Sequence, residues 1–123
     1  MVEPNLSAYI QNQIKQAQDI EAQIESIASQ RYQLDVLIRE LDKTIKELKS
    51  ISEGTPVYKS VGPVMYLVED KNKLINDLEE QKELSQMRSK TLENQQKSLE
   101  QKYREVQESL QKKYQEASKG EGN

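Results

Sequence analysis

Apolar residues recur at alternating steps of four and three through the first half of the chain. Ten positions follow this spacing between residues 20 and 52, and eight of them are Ile or Leu. These positions hold Ile20, Ile24, Ile27, Arg31, Leu34, Ile38, Leu41, Ile45, Leu48 and Ser52. A stripe with a period of about 3.5 residues is typical of the seam of a coiled coil. The region is therefore predicted to form one long helix that packs against another.

The bounds of this first helix follow from its capping and breaking residues. No Gly or Pro occurs between Leu6 and Gly54, and Asn5 is expected to be the N-cap. Gly54 and Pro56 together give a stop signal. We predict helix 1 over residues 6–53, with a length of about 70 Å at ~1.5 Å per residue.

Two features depart from a regular apolar seam in helix 1. The stripe continues toward the N-terminus through Ile10, Ile14 and Ala17, but the steps from Ile14 to Ala17 and from Ala17 to Ile20 are both three. Two successive steps of three predict a stammer, which is a local overwinding of the coil. The seam also contains Arg31, which either sets the register of the two helices or extends its guanidinium past the seam to water. We favour the second interpretation.

A second apolar stripe predicts helix 2 over residues 70–118, with Asp70 as its N-cap. The stripe is regular in the far half of the helix and interrupted in the half nearer Asp70, where we expect weaker packing. The far half carries Leu99, Tyr103, Val106, Leu110 and Ala117, with Tyr114 beside them. In the near half, Gln81, Ser85, Arg88 and Gln95 fall on the expected seam.

The segment between the helices, residues 55–69, has the composition of β-strands. It is rich in Val and Tyr, and these residue types are enriched in strands. We predict strands over about residues 57–61 and 64–68, joined by a tight turn at Gly62-Pro63.

Both faces of this predicted hairpin are mostly apolar. Pairing Val61 with Val64 places valines and Tyr66 on one face and Tyr58, Met65 and Leu67 on the other. An isolated hairpin is marginal in water, and its open edges can pair with other strands. The sequence therefore predicts an element of assembly between chains. Its residues are Val57, Tyr58, Val61, Gly62, Pro63, Val64, Met65, Tyr66, Leu67 and Val68.

A chain that turns back at the hairpin brings residues whose numbers sum to about 123 opposite one another. The expected fold is mainly α with a small β-hairpin, in which two strands join a long antiparallel two-helix coiled coil. We expect one domain over residues 1–123, with a disordered tail over residues 119–123.

Apolar side chains of both helices are expected to meet where the two arms end. A seam between only two helices is half covered, so these residues are either ordinary packing or an adaptable surface for exposed apolar residues of another protein. The set consists of Leu6, Tyr9, Ile10, Ile14, Leu110, Tyr114 and Ala117.

Composition excludes several classes of function. Apolar residues are 34% of the chain and charged residues 32%, which is typical of long helices rather than a thick globular core. The net charge is −3 with Lys and Glu interleaved, which argues against nucleic acid as a partner. The chain has no Cys and no His, so we expect no metal site, no cofactor and no enzymatic activity. It contains no apolar run of about 20 residues and no secretory signal, so we expect a cytoplasmic protein that does not bind membranes.

The hairpin and its two flanking helices resemble the β-type subunit of prefoldin, the single-hairpin class. The match is closest at Val57-Tyr58-Lys59 and Val61-Gly62-Pro63-Val64 and covers the whole chain in architecture. The resemblance implies a hexamer of two α-type and four β-type subunits, whose hairpins assemble into inter-subunit β-barrels. It further implies an ATP-independent chaperone, or holdase, whose coiled-coil tips capture unfolded polypeptides and deliver them to a group II chaperonin.

Two other functions compete with this interpretation. A structural or tethering coiled coil without client-holding activity would explain the heptads equally well, but it gives no reason for a hairpin with two apolar faces. An RNA-binding helical arm is a third possibility, and the acidic balance weighs against it.

Overall fold

A computed structural model describes residues 4–121 of the 123, and the side chains of residues 6–118. The chain forms helix α1 over Pro4–Ser50, strand β1 over Tyr58–Val61, strand β2 over Val64–Leu67 and helix α2 over Lys71–Glu121. Two long helices joined by a two-stranded antiparallel hairpin confirm the predicted mainly α architecture.

The helix ends differ from their predicted positions by a few residues. Helix α1 already includes Pro4, so the prediction that Asn5 is the residue before its first turn is wrong. It ends at Ser50, three residues before the predicted end, because the chain turns before it reaches Gly54, whose φ is +86°. Helix α2 continues to Glu121. The predicted disordered tail therefore begins inside a helix, and residues 122–123 lie outside the described part of the chain.

Asp70 caps α2 as its sequence position predicts. Its Oδ1 accepts a hydrogen bond from the backbone N–H of Lys73 at 3.0 Å. A carboxylate at this position satisfies one of the amide groups that have no partner within the first turn of a helix. This cap fixes where the chain leaves the hairpin and becomes helical.

The strands pair in the predicted register. Val61 is opposite Val64 and Lys59 is opposite Tyr66, and the N–H of Val68 donates to the carbonyl of Val57 at 2.8 Å. Gly62 has a φ of +57°. Positive φ at the first of two loop residues, followed by Pro63, matches a type II′ turn.

The chain divides into two compact units. The terminal unit consists of Met1–Arg31 and Thr91–Asn123, and the hairpin unit consists of Tyr32–Lys90. In each unit a segment of α1 packs against a segment of α2. Their buried apolar side chains are Ile20, Leu92 and Val106 in the terminal unit and Leu41, Ile45 and Ile75 in the hairpin unit.

Antiparallel packing in the terminal unit is shown by hydrogen bonds between the helices. Tyr103 Oη donates to Glu21 Oε1 at 2.6 Å, and Tyr9 Oη lies 2.6 Å from Ser109 Oγ. In both pairs a residue early in the chain meets one late in the chain, as the fold-back arithmetic predicts.

The seam of α1 in the terminal unit has no stammer. Gln13 is half-buried, whereas Ile14 is 40% exposed. With Gln13 the steps from Ile10 through Ala17 to Ile20 are three, four and three, a regular heptad frame. The stammer prediction is wrong because it counted an apolar residue as the seam position where a glutamine occupies it.

In the near half of α2, the residues on the seam also differ from the predicted ones. Ser85 is buried, and Lys82 and Ser89 are half-buried in the hairpin unit. Gln81 and Arg88, which were expected on the seam, are exposed. In the terminal unit Gln96 is half-buried and Gln95 is exposed. The true frame lies one residue further along than predicted at these three positions, and the seam there is polar, as expected, but is formed by different residues.

Candidate interaction surfaces

The hairpin surface is formed by the apolar side chains of β1 and β2, and it is uncovered on both faces. Every residue of the two strands is exposed. The exposed fractions are 57% for Tyr58, 49% for Val61, 50% for Val64, 66% for Met65, 57% for Tyr66 and 57% for Leu67. Contiguous exposed apolar area of this kind is typical of surfaces that contact another protein.

The backbone of the hairpin also has free edges. The hydrogen bond from Val68 to Val57 fixes which residues point their backbone groups inward, because hydrogen-bonded and non-hydrogen-bonded pairs alternate along an antiparallel ladder. The N–H and C=O groups of Tyr58 and Ser60 therefore point out from β1, and those of Met65 and Leu67 point out from β2. Both edges can accept a strand from another chain.

Two of the predicted assembly residues are partly covered by their own chain. Val57 and Val68 are half-buried at the base of the hairpin. Gly62 and Pro63 form the turn and are exposed. The ten residues assigned to assembly from the sequence thus comprise an exposed sheet, its turn and a half-buried base.

The terminal surface comprises the seven residues predicted as the apolar tip, and all seven belong to the terminal unit. Leu6, Tyr9, Ile10, Leu110 and Ala117 are half-buried. Ile14 and Tyr114 are 40% and 55% exposed. The set is therefore neither a closed core nor a fully exposed patch.

Polar contacts fix Tyr9 within the terminal surface. Its hydroxyl pairs with Ser109, and the ammonium of Lys113 lies 5.5 Å from the centre of its ring. A cation at that distance is attracted to the ring face. Tyr9 is held by its own chain, whereas the Tyr114 side chain is more than half exposed and can meet another molecule without losing a described contact.

Sequence reasoning missed a cross-helix ion cluster in the hairpin unit. Lys82 Nζ lies 2.7 Å from Asp42 Oδ1, and Lys46 Nζ lies 2.8 Å from Asp42 Oδ2. The hydrogen bond from Lys46, and to a smaller extent the one from Lys82, lowers the pKa of Asp42 from 3.8 to about 2. The hydrogen bond to Asp42 in turn raises the pKa of Lys46. The ion pair could have been predicted from the sequence, because Asp42 and Lys82 are opposite in charge and their numbers sum to about the value expected for facing residues.

Arg31 makes a specific contact across the seam of the terminal unit. Its Nη1 donates to Gln96 Oε1 at 2.8 Å, and Gln96 Nε2 donates to Glu100 Oε1 at 3.1 Å. The Nε of Arg31 is buried and has no hydrogen-bond partner. This engagement favours the register-setting interpretation over simple extension of the guanidinium to water.

The titration of one tyrosine reflects the same cross-helix packing. The hydrogen bond to Glu21 raises the pKa of Tyr103.

Among residues 4–121, no cluster of three acidic side chains is placed to hold a metal ion, and neither helix could serve as a membrane span.

Comparisons with known proteins agree with this architecture. A family description of prefoldin subunits matches residues 11–117. The prefoldin subunit beta of Thermoplasma volcanium is 55% identical over 119 residues, covering 97% of this chain and 96% of that protein. The prefoldin subunit beta of Thermoplasma acidophilum is 51% identical over the same coverage of each chain.

A solved structure shows the same fold. The crystal structure of the prefoldin beta subunit from Thermococcus strain KS-1 matches with a TM-score of 0.78 at 25% identity, covering 91% of this chain and 94% of that one. The strand hairpin, its flanking helices and these similarities lead to one assignment. The chain belongs to the prefoldin β-subunit family, whose members are chaperone subunits that assemble with other prefoldin subunits.

Proposed function

We propose that this chain is the β-type subunit of an ATP-independent holdase that captures unfolded polypeptides at its terminal surface. The observation that carries the proposal is the exposure of the seven terminal-surface residues, five of which are half-buried against their own chain and all of which remain partly open to solvent. Such residues can contact apolar segments of many sequences, because no rigid pocket requires one shape.

Assembly supplies what a single terminal surface lacks. The exposed hairpin surface supports assembly with other chains, and we propose the arrangement that the family resemblance implies, a hexamer of two α-type and four β-type subunits whose strands form inter-subunit β-barrels. Several weak client contacts on one particle then add through effective concentration. We propose that the complex acts in the cytoplasm and delivers its clients to a group II chaperonin, and that each chain contributes a single domain.

The test replaces apolar area on the terminal surface and leaves the hairpin intact. A variant carrying Leu6→Ser, Ile10→Ser, Leu110→Ser and Tyr114→Ser is assembled with its α-type partner. Light scattering then follows the aggregation of a chemically unfolded protein in buffer without ATP. We expect the variant complex to lose most of its ability to suppress aggregation, while native mass spectrometry still detects the hexamer.

A matched control shows whether the loss is specific to this surface. Tyr32 and Leu84 are 68% and 60% exposed and belong to the hairpin unit, so Tyr32→Ser with Leu84→Ser removes exposed apolar area elsewhere. We expect this control to suppress aggregation like the wild type. If the terminal variant also retained full suppression, the tethering coiled coil without client-holding activity would become the better description.

A further inference from the structure

A cleft in the hairpin unit combines an apolar lining with acidic side chains. It lies where the end of α1, the base of the hairpin and the start of α2 converge. Its apolar lining is formed by Ile51, Pro56, Val57, Leu67 and Val68. Three carboxylates, of Glu53, Glu69 and Asp70, and one ammonium, of Lys71, complete the charged part of its wall, so the wall is net negative.

The hairpin has the opposite charge. Lys59 is the only charged residue between Thr55 and Val68. It is on β1, on the same face as Val57 and Val61, because alternate residues of a strand share a face. One face of β1 therefore presents Lys59 and Val61, and the half-buried Val57 precedes them at the base of the hairpin.

The charges of the hairpin and of the cleft wall are not neutralised by ion pairs within their own chain. Within the described residues, Lys59 and Glu69 make no ion pair. Both are exposed, as are Glu53 and Asp70. The single cation of the hairpin and the carboxylates of Glu53 and Glu69 are thus available to another molecule, whereas Oδ1 of Asp70 already accepts the hydrogen bond that caps α2.

We propose that the cleft receives the hairpin of a second copy of this chain, with Lys59 of the incoming hairpin against Glu69 and Asp70. Val61, which is beside Lys59 and 49% exposed, then contacts the apolar lining. Leu67 lines the cleft and directs its backbone groups outward, so an incoming strand can also form hydrogen bonds there. The contact deepens the proposed function, on which it rests, by naming a charge pair that selects how neighbouring β-type subunits meet.

The contact is heterologous, since each copy offers a lysine to one neighbour and a carboxylate to another. This property gives a charge-swap test. In Lys59→Glu the incoming strand repels the cleft, and in Glu69→Lys the cleft repels the incoming strand. A mixture of the two variants restores opposite charges at contacts between unlike chains, and so does the double variant at all contacts.

The first measurement identifies the neighbour of Lys59. Chains labelled with ¹⁵N and unlabelled chains are assembled together with the α-type partner and treated with a carbodiimide, which joins an amine directly to a carboxylate. We expect mass spectrometry to find Lys59 of one label joined to Glu69 or Asp70 of the other. Coupling of Lys59 to the α-type chain, or only to carboxylates outside the cleft, overturns the proposal.

The second measurement follows the strength of assembly by native mass spectrometry over a dilution series. We expect each single variant to raise the midpoint concentration of dissociation about threefold to tenfold, and the mixture and the double variant to return toward the wild type. The difference should shrink at 1 M salt, because the charges are exposed. Single variants that assemble as tightly as the wild type at low salt overturn the proposal.

The control is Glu83→Lys, an equal change of charge at an exposed position of α2 outside the cleft, which should leave the midpoint unchanged. Suppression of client aggregation is measured on the same samples. If capture is intact but the cross-link is absent, only the Lys59 contact fails. If the cross-link is present but the wild type captures no client, only the holdase fails.

Discussion

The hairpin surface and the terminal surface are both apolar, but they differ in how far their own chain covers them. Every strand residue of the hairpin is exposed, whereas five of the seven residues of the terminal surface are half-buried. A two-stranded hairpin gains too little from its own contacts to be stable alone. Helical seam residues are already supported by the facing helix.

This difference separates a permanent contact from a transient one. The hairpin surface has open backbone edges and two uncovered faces, so it requires another chain of fixed shape. The terminal surface is packed mostly against its own chain, so a surface of this kind can release a client if it acts as proposed above. The comparison predicts that charges introduced into the hairpin will disrupt assembly, while removal of apolar side chains from the terminal surface will weaken capture and leave assembly intact.

The largest expected effect comes from a charge on the hairpin surface. Met65→Asp with Leu67→Asp places two carboxylates on one face of the sheet, where assembly would bury them. Burial of an unpaired charge costs several kcal/mol, so we expect native mass spectrometry to show no hexamer. Leu84→Asp, at an exposed site outside the strands, is the matched control. A hexamer that persisted with both strand substitutions would contradict the assembly role of this face.

The next effect distinguishes core from surface within the hairpin unit. Ile45 is 5% exposed and Leu84 is 60% exposed. Ile45→Ala should lower the free energy of unfolding by about 2–5 kcal/mol, through lost burial and a residual cavity. Leu84→Ala should change it by less than about 0.5 kcal/mol. Urea unfolding followed by circular dichroism checks both values, and equal losses would mean that the two side chains are equally covered.

A smaller change sharpens the account of the terminal surface. Tyr9→Phe keeps the aromatic ring and removes the hydroxyl that pairs with Ser109. We expect a loss of about 0.5–1.5 kcal/mol in the free energy of unfolding, with suppression of client aggregation unchanged. A variant that unfolds like the wild type but fails to suppress aggregation would show that the hydroxyl itself binds clients.

The smallest expected effect concerns the ion cluster of the hairpin unit. The folded pKa of Asp42, about 2, lies below its ordinary value of 3.8. Its contribution to stability is therefore fully present above about pH 4 and is lost as the pH falls through about 2. Asp42→Asn should be slightly less stable than the wild type at pH 7, and the difference should vanish toward pH 2. Urea unfolding at several pH values measures it, and a difference independent of pH would exclude the carboxylate as its source.

Much of the fold could be predicted because its determinants are local. The heptad frame from Ile20 to Leu48 needed only the spacing of Ile and Leu. The register of the hairpin followed from one tight turn, since a two-residue loop at Gly62-Pro63 fixes which residues face each other. Asp70 was identified as a cap because a short carboxylate before a helix has one clear use.

The errors arose where polar residues occupy the seam. Gln13, Lys82 and Gln96 carry no apolar signal, so counting apolar side chains placed neighbours of these residues on the seam instead. The early end of α1 at Ser50 depends on the geometry of the chain before the hairpin, which propensity does not specify. The different exposure of Leu110 and Tyr114 also required the structure, because both residues have the same apolar character in a sequence pattern.

The uncovered hairpin also has a consequence for the life of the chain in a cell. A newly made copy that has not yet met its partners displays open strand edges and aromatic side chains, which are features that recruit other unfolded chains into aggregates. Orphan copies should therefore be cleared by proteolysis. The cell would then have to match the synthesis of this subunit to that of its partners.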